Sequence, residues 1–339
     1  MTIVDRMFTR GLCVVLPLTI LLFLAGIVVL PSYADQAEAQ GEPEGAAPAV
    51  NHNTWTSGAA MPTAVFQPAV GVLKGQIYVV GGANPGSLSG TQIYNPVTNT
   101  WSTGVSLPVA TNGASGAVVK NIMYVIGGSN DQSQTQTNAV WAYNPKTKTW
   151  SAKAAMLTAR QDAGVAVEKN IIYVIGGYNG NAGGYIATVE SYNPATDTWT
   201  EEAPLLVSQG GISAAAVGSK VFAVDGWTNS GGPTDDSEEY NVSTNAWTSL
   251  KPDPTLRGYA CAGAIGPLMY VVGGSNASHV GLNTAESFKP SKNLWTTLAP
   301  MPQAGFAPGC TAYKGQLYVF GGWVTYQGTI LNNVQIYQP

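Results

Sequence analysis

The sequence predicts an all-β propeller of six blades, each built from four antiparallel strands. Three observations predict it. Tryptophans recur about every 48 residues, at positions 55, 101, 150, 199, 247 and 295. Six strand-like runs end in a glycine pair or its remnant: IYVVGG to Gly82, MYVIGG to Gly128, IYVIGG to Gly177, VFAVDG to Gly226, MYVVGG to Gly274 and LYVFGG to Gly322. About 12 to 15 residues beyond each pair stands an aromatic: Tyr94, Tyr143, Tyr192, Tyr240, Phe288 and Tyr337. The composition agrees, since 40 glycines, 21 prolines and only 10% charged residues describe a chain of many tight turns.

Before the repeats lie two different stretches. Arg6 and Arg10 precede an uncharged apolar run from Gly11 to Leu30, followed by Pro31-Ser32-Tyr33-Ala34. Positive charge, an apolar stretch and small residues at a cleavage point describe an export signal over residues 1–34, with Ala34 its last residue. The run is also long enough to cross a bilayer, so an uncleaved anchor over residues 11–30 is the alternative. Residues 35–50, DQAEAQGEPEGAAPAV, are small, acidic and interrupted by Pro and Gly. They bury too little apolar surface to offset the entropy of ordering and read as a flexible linker.

Within each repeat of 51–339 the strands follow in order. A run of small residues such as Asp162–Val167 forms the first strand, and Lys169-Asn170 or Lys74-Gly75 makes the turn out of it. The apolar run before the glycine pair forms the second, buried on both faces. A polar loop leads to a third strand such as Ala187–Tyr192; an Asn-Pro turn follows, and the tryptophan opens the fourth. One repeat cannot bury its own surfaces, so neighbouring blades must stack. The sixth unit stops at Pro339 without a tryptophan strand, while the chain carries a spare one at Trp55–Ala60. The N-terminal strand is therefore expected to close the last blade.

The glycine pair, the later tyrosine and the tryptophan at these spacings resemble the Kelch motif over residues 51–339. Two positions depart from it, Asp225 for the first glycine of the fourth repeat and Phe288 for the fifth tyrosine. The Arg that many Kelch repeats carry after the Trp strand is matched only by Arg160 and Arg257.

Chemistry is sparse. A net charge of −4 with no basic cluster after the N-terminal segment argues against nucleic-acid binding. Copper enzymes of the galactose-oxidase type, which resemble Kelch proteins, use a pair of histidines with tyrosines and a crosslinked cysteine. Here the two histidines, His52 and His279, lie at the linker edge and in a loop, so no metal or other cofactor is expected. His279 reads as an ordinary polar surface residue. The resemblance also extends to bacterial sialic-acid mutarotases, which implies a sugar-processing enzyme as an alternative function. Proton transfer at a sugar needs an acid, a base and a cation for the carboxylate, and Arg160, Asp162, Asp225 and Arg257 are the candidates. A structural role bridging blades is the preferred reading of these four. Glu190, Glu238 and Glu286 each precede the third-strand aromatic by two residues, which marks them as repeat elements. Cys261 and Cys310 fall at opposite parity in neighbouring first strands and are expected to be buried free thiols.

The loops after the glycine pairs carry the functional expectation. They read Ala83-Asn84, Ser129-Asn130, Tyr178-Asn179, Trp227-Thr228, Ser275-Asn276 and Trp323-Val324. Large aromatics alternate there with small residues, as a lopsided binding rim requires. Tyr178, Trp227 and Trp323 are the expected anchors, with Asn84, Asn130, Asn276, Arg160, Asp162 and Arg257 supplying polar contacts. The expected protein is a monomeric, secreted or extracytoplasmic binding or scaffold module whose ligand is a protein or a glycan. It meets a membrane only through the N-terminal segment.

Overall fold

Six antiparallel sheets stand around a central channel in a computed structural model that describes residues 52–130 and 135–339. The export segment and the linker lie outside the described residues. Blade 1 runs outward through Ala69–Leu73, Gln76–Val80, Thr91–Asn95 and Thr100–Thr103. Blades 2, 3 and 5 repeat this order, beginning at Ser115–Val119, Gly164–Glu168 and Cys261–Ile265. In blade 4 the second and third strands lengthen into a nine-residue hairpin, Lys220–Thr228 with Pro233–Asn241. Blade 6 takes Gly309–Tyr313, Gln316–Phe320 and Val334–Gln338 from the C-terminus, and its outer strand, Thr54–Gly58, from the N-terminus.

The closure extends beyond that strand. In each intact outer turn a residue with positive φ precedes the tryptophan by two, as Asn99, Asp197 and Asn245 do. In blades 1, 3 and 4 the side chain of that residue accepts from the third-strand tyrosine and from a backbone N–H of a neighbouring loop, as Asn99 does from Tyr94 Oη and Ala59 N. Asn53 plays that part for blade 6, accepting from Tyr337 Oη at 2.8 Å and from Ala299 N at 2.7 Å. Trp55 then donates from Nε1 to the Ala299 carbonyl at 2.8 Å, as Trp101 does to Ala59 and Trp150 to Val105. The chain ends thus rebuild a complete outer turn.

The repeat motifs bind each blade to the next. Second-strand aromatics fill the space between sheets, for example Tyr78 against Tyr143 with centroids 5.7 Å apart. The second glycine of each pair donates its N–H to the loop entering the following blade: Gly82 to Thr111, Gly128 to Arg160 and Gly322 to Val65. The first glycine sits at positive φ against that same carbonyl. A Cβ on Gly127 would lie 2.5 Å from the Arg160 oxygen, so a side chain is excluded there. Asp225 occupies the equivalent position at φ 59°, and a register shift between Val224 and Gly226 accommodates it.

Glu190 accepts from Leu157 N and Thr158 N, and Glu238 from Leu206 N; Gln92 and Gln335 hold the equivalent loops in blades 1 and 6. These residues pin the loop between blades, which explains their periodicity.

The expectation of free thiols is overturned. Cys261 and Cys310 form a disulfide across blades 5 and 6, with Cα atoms 6.0 Å apart. Their opposite parity is correct, since Cys261 stands opposite Val272 and Cys310 opposite Val319. Adjacent blades, however, present unlike faces to each other. Side chains that point in opposite senses from their own sheets therefore meet in the interface.

Candidate ligand-binding face

The loops between second and third strands and those between blades share one end of the channel. There the chain makes a feature that no single repeat displays. Gln67, Gly113, Asp162, Gly211, Tyr259 and Ala307 occupy one equivalent position and all have positive φ. Each backbone N–H donates to the carbonyl of the equivalent residue in the preceding blade, from Gly113 to Gln67 at 3.2 Å round to Gln67 to Ala307 at 2.7 Å. This cyclic set of hydrogen bonds narrows the channel mouth. Behind it lies a cavity of about 560 Å³, walled mostly by small first-strand residues, and at the ring itself is a pocket of about 100 Å³ lined by the six ring residues and the residue that follows each.

Of the six ring residues only Asp162 is ionisable as a carboxylate, so one acid stands beside the propeller axis. Gln67 Nε2 donates to Oδ1 at 2.7 Å, Gln161 Nε2 donates to Oδ2 at 2.9 Å, and the Tyr259 hydroxyl is a third partner. Gly113 makes room for it, since a Cβ there would lie 2.6 Å from Oδ1. Burial pushes the Asp162 carboxyl up to about 6, against the opposing pull of the Gln161 and Tyr259 hydrogen bonds. Tyr259 is itself raised well above the usual tyrosine range, by burial and then by the Asp162 charge, and it is hydrogen-bonded to Tyr185.

From Tyr259 the aromatic rings continue across the face. Tyr259 meets Phe306 at 6.5 Å, Phe306 meets Trp323 at 5.8 Å, and Trp323 stacks on Phe66 at 4.3 Å. In the other direction Trp323 meets Tyr326 at 5.4 Å, Tyr326 meets His279 at 5.9 Å, and His279 lies flat on Trp227 at 4.4 Å. On blade 3, Tyr185 packs edge-on against Tyr178. Blades 1 and 2 offer Ala83 and Ser129 instead, so the face is lopsided.

The individual candidates fare differently. Tyr178 and Trp323 are half-buried members of the aromatic arc. Trp227 is not exposed: at 5% it lies beneath His279 and over Gly258, so it supports the surface from below. The arginines do not reach the face either. Arg160, 1% exposed, pairs with Glu190 and donates to the Gly176 and Thr188 carbonyls.

Arg257, fully buried, faces three carboxylates, Asp225 at 2.9 Å, Asp253 at 2.6 Å and Glu286 at 2.7 Å. Burial alone lowers the Arg257 guanidinium, but these acids hold it above its ordinary range; burial in turn raises Asp225 well above its own. Both arginines tie blades together, each supplying the cation that balances the acids buried against it. Asn84 and Asn130 donate to the Ala64 and Ala110 carbonyls and so tie their loops to the neighbouring interblade loops, while Asn276 Oδ1 accepts from Ser278 N and Val280 N and shapes its own loop.

A family model described as Attractin/LZTR1 beta-propeller matches residues 77–291, and a Kelch-motif model matches residues 305–339. The chain belongs to the Attractin/LZTR1 β-propeller family. Its Kelch repeats are the sheets just described. Among solved structures it is similar to one titled "Structure of YjhT", with a TM-score of 0.73 and 17% identity over 82% of this chain and 96% of that one. At that identity the likeness is one of fold. No curated protein matches the sequence.

Tyr259, Gln67, Tyr185, Tyr326 and Phe66 are absent from the sequence-based candidates, and His279 was expected to be merely polar surface. A signal for the ring existed. Each ring residue stands eleven positions before the second-strand aromatic, from Gln67 and Tyr78 to Ala307 and Tyr318. Aligning that column isolates Asp162 as its one carboxylate. The contacts of Tyr326 and His279 join two loops of irregular length, and no periodicity reveals them.

Proposed function

We propose that this Kelch propeller is an extracytoplasmic binding module that holds a protein or glycan ligand on the loop face around the channel mouth. The supporting observation is the arc of aromatic rings from Tyr178 to Phe66 beside the axial Asp162. Rigid aromatic rings combined with a few placed polar groups are the usual make-up of a recognition surface. The interblade disulfide supports an oxidising compartment, in accord with the N-terminal signal.

A second reading, a sugar-processing enzyme, draws on Asp162. A carboxyl titrating near 6 beside two tyrosine hydroxyls suits proton transfer. It lacks the cation that an acidic sugar would need, because Arg160 and Arg257 are held in buried ion pairs. Binding is therefore the preferred function.

The test is a glycan array together with capture of surface proteins on the immobilised protein, each repeated with Trp323→Ala and Tyr178→Ala. Saturable binding of a ligand that both variants lose supports the reading. Binding that neither change affects, or no saturable ligand of either kind, refutes it.

A further inference from the structure

The arc is not uniform. Its most exposed part spans blades 5 and 6, where His279 and the 62%-exposed Tyr326 stand above Trp227 and beside Trp323. Two loops build this platform, residues 275–283 and 323–333, and backbone hydrogen bonds stitch them together. Gly281 N donates to Val324 O at 2.8 Å and Tyr326 N to His279 O at 3.2 Å. Each loop is also braced internally, by Asn276 in the first and by the Trp323 Nε1 bond to Gly328 O at 3.1 Å in the second. The rings are thus held in place before any ligand arrives, which lowers the entropy cost of binding.

Neither loop contains Asp, Glu, Lys or Arg. The exposed His279 and Tyr326 and the half-buried Trp323 form a row one ring wide, with neighbouring centroids 5.9 and 5.4 Å apart and planes inclined by 44° and 48°. Ring spacing of this size is close to the length of one pyranose unit. The flanking groups are hydroxyls and amides from Thr325, Gln327 and Thr329. An acidic polymer would find no cation there, and a charged protein surface would find no counter-charge.

We infer that the row His279–Tyr326–Trp323 binds a neutral oligosaccharide, with sugar rings stacked on successive aromatic faces. This inference rests on the reading of the loop face as a binding surface and specifies its ligand class.

The test uses the whole protein and a panel of neutral hexose and N-acetylhexosamine oligosaccharides, each paired with a carboxylated or sulfated counterpart, with affinities measured by calorimetry. Neutral members bind, their charged counterparts bind more weakly, and longer chains bind more tightly up to about three units. Tyr326→Ala and His279→Ala each weaken binding tenfold or more while the melting temperature holds, as loss of an exposed anchor should. Stronger binding of the charged counterparts, no binding to any member, or unchanged affinity in both variants overturns the inference. If a surface protein is instead captured and lost in Trp323→Ala and Tyr178→Ala while every glycan fails, the ligand class is wrong and the binding-module reading stands.

Discussion

Breaking the Cys261–Cys310 disulfide tests how the ring is held at the junction of blades 5 and 6. The bond closes a loop of 49 residues. Restricting an unfolded chain to a loop of that length stabilises the folded state by about 4 kcal/mol on the chain-entropy account. A propeller of about 290 residues unfolds with an entropy near 0.6 kcal/mol/K, so the loss corresponds to a fall of about 6 to 7 °C in melting temperature. Cys261→Ala with Cys310→Ala should give that fall plus a small contribution from lost packing of the buried Cys261 side chain. Reducing and alkylating the natural protein should reproduce most of it without altering any side chain that lines the loop face. Differential scanning calorimetry measures both, and peptide mapping without reductant identifies the 261–310 crosslink. Two separately alkylated thiols in the untreated protein, or a melting temperature insensitive to reduction, would refute the reasoning.

Trp55→Ala should lower stability by about 3–5 kcal/mol, as much as Trp150→Ala, because both indoles bridge adjacent blades; a chain beginning at residue 61 that melts like the full protein argues against closure. Arg257→Met leaves three buried carboxylates without a cation and should cost about 3–5 kcal/mol or more, exceeding Arg160→Met, which strands only Glu190; equal urea midpoints for Arg257→Met and the natural protein would contradict this. For Asp162 the folded state holds its proton up to about pH 6 while the unfolded chain releases it near 3.8. Stability from this group is therefore fully present below the unfolded value and falls as pH rises through about 6. Asp162→Asn should gain up to about 3 kcal/mol at neutral pH relative to pH 3.5, and a pH-independent difference between the two proteins would dismiss the burial cost. N-terminal sequencing of the exported product should begin near Asp35; retention of Met1–Leu30 in a membrane fraction would mean an anchor.

The positions that repeat were legible because each performs the same local task six times. The glycine pair must approach the next loop, the tryptophan must reach a carbonyl of the neighbouring loop, and the N-terminal tryptophan strand must fill the one vacancy in blade 6. Local sterics and hydrogen-bond requirements impose these residue types, so counting recovers them. The period of Glu190, Glu238 and Glu286 marked them as repeat elements, while the loop N–H groups that Glu190 and Glu238 hold appear only in the structure.

Where two blades meet, counting was insufficient. Cys261 and Cys310 have the parity the sequence assigns them, yet they bond because stacking turns opposite faces toward each other. Trp227 shares its column with Trp323, yet His279 from the next blade covers one while the other remains part of the surface. The lone carboxylate at the axis acquires its raised proton affinity from burial, which outweighs the hydrogen bonds of Gln161 and Tyr259, and that burial exists only where the interblade loops converge. The sequence by itself determined the number of blades, their strand order, the closing strand and the chemistry available on each loop. The tertiary structure alone decided which of those groups became buried bridges and which became surface, because burial and pairing depend on neighbours about 50 or more residues away, and those neighbours exist only once the ring has closed.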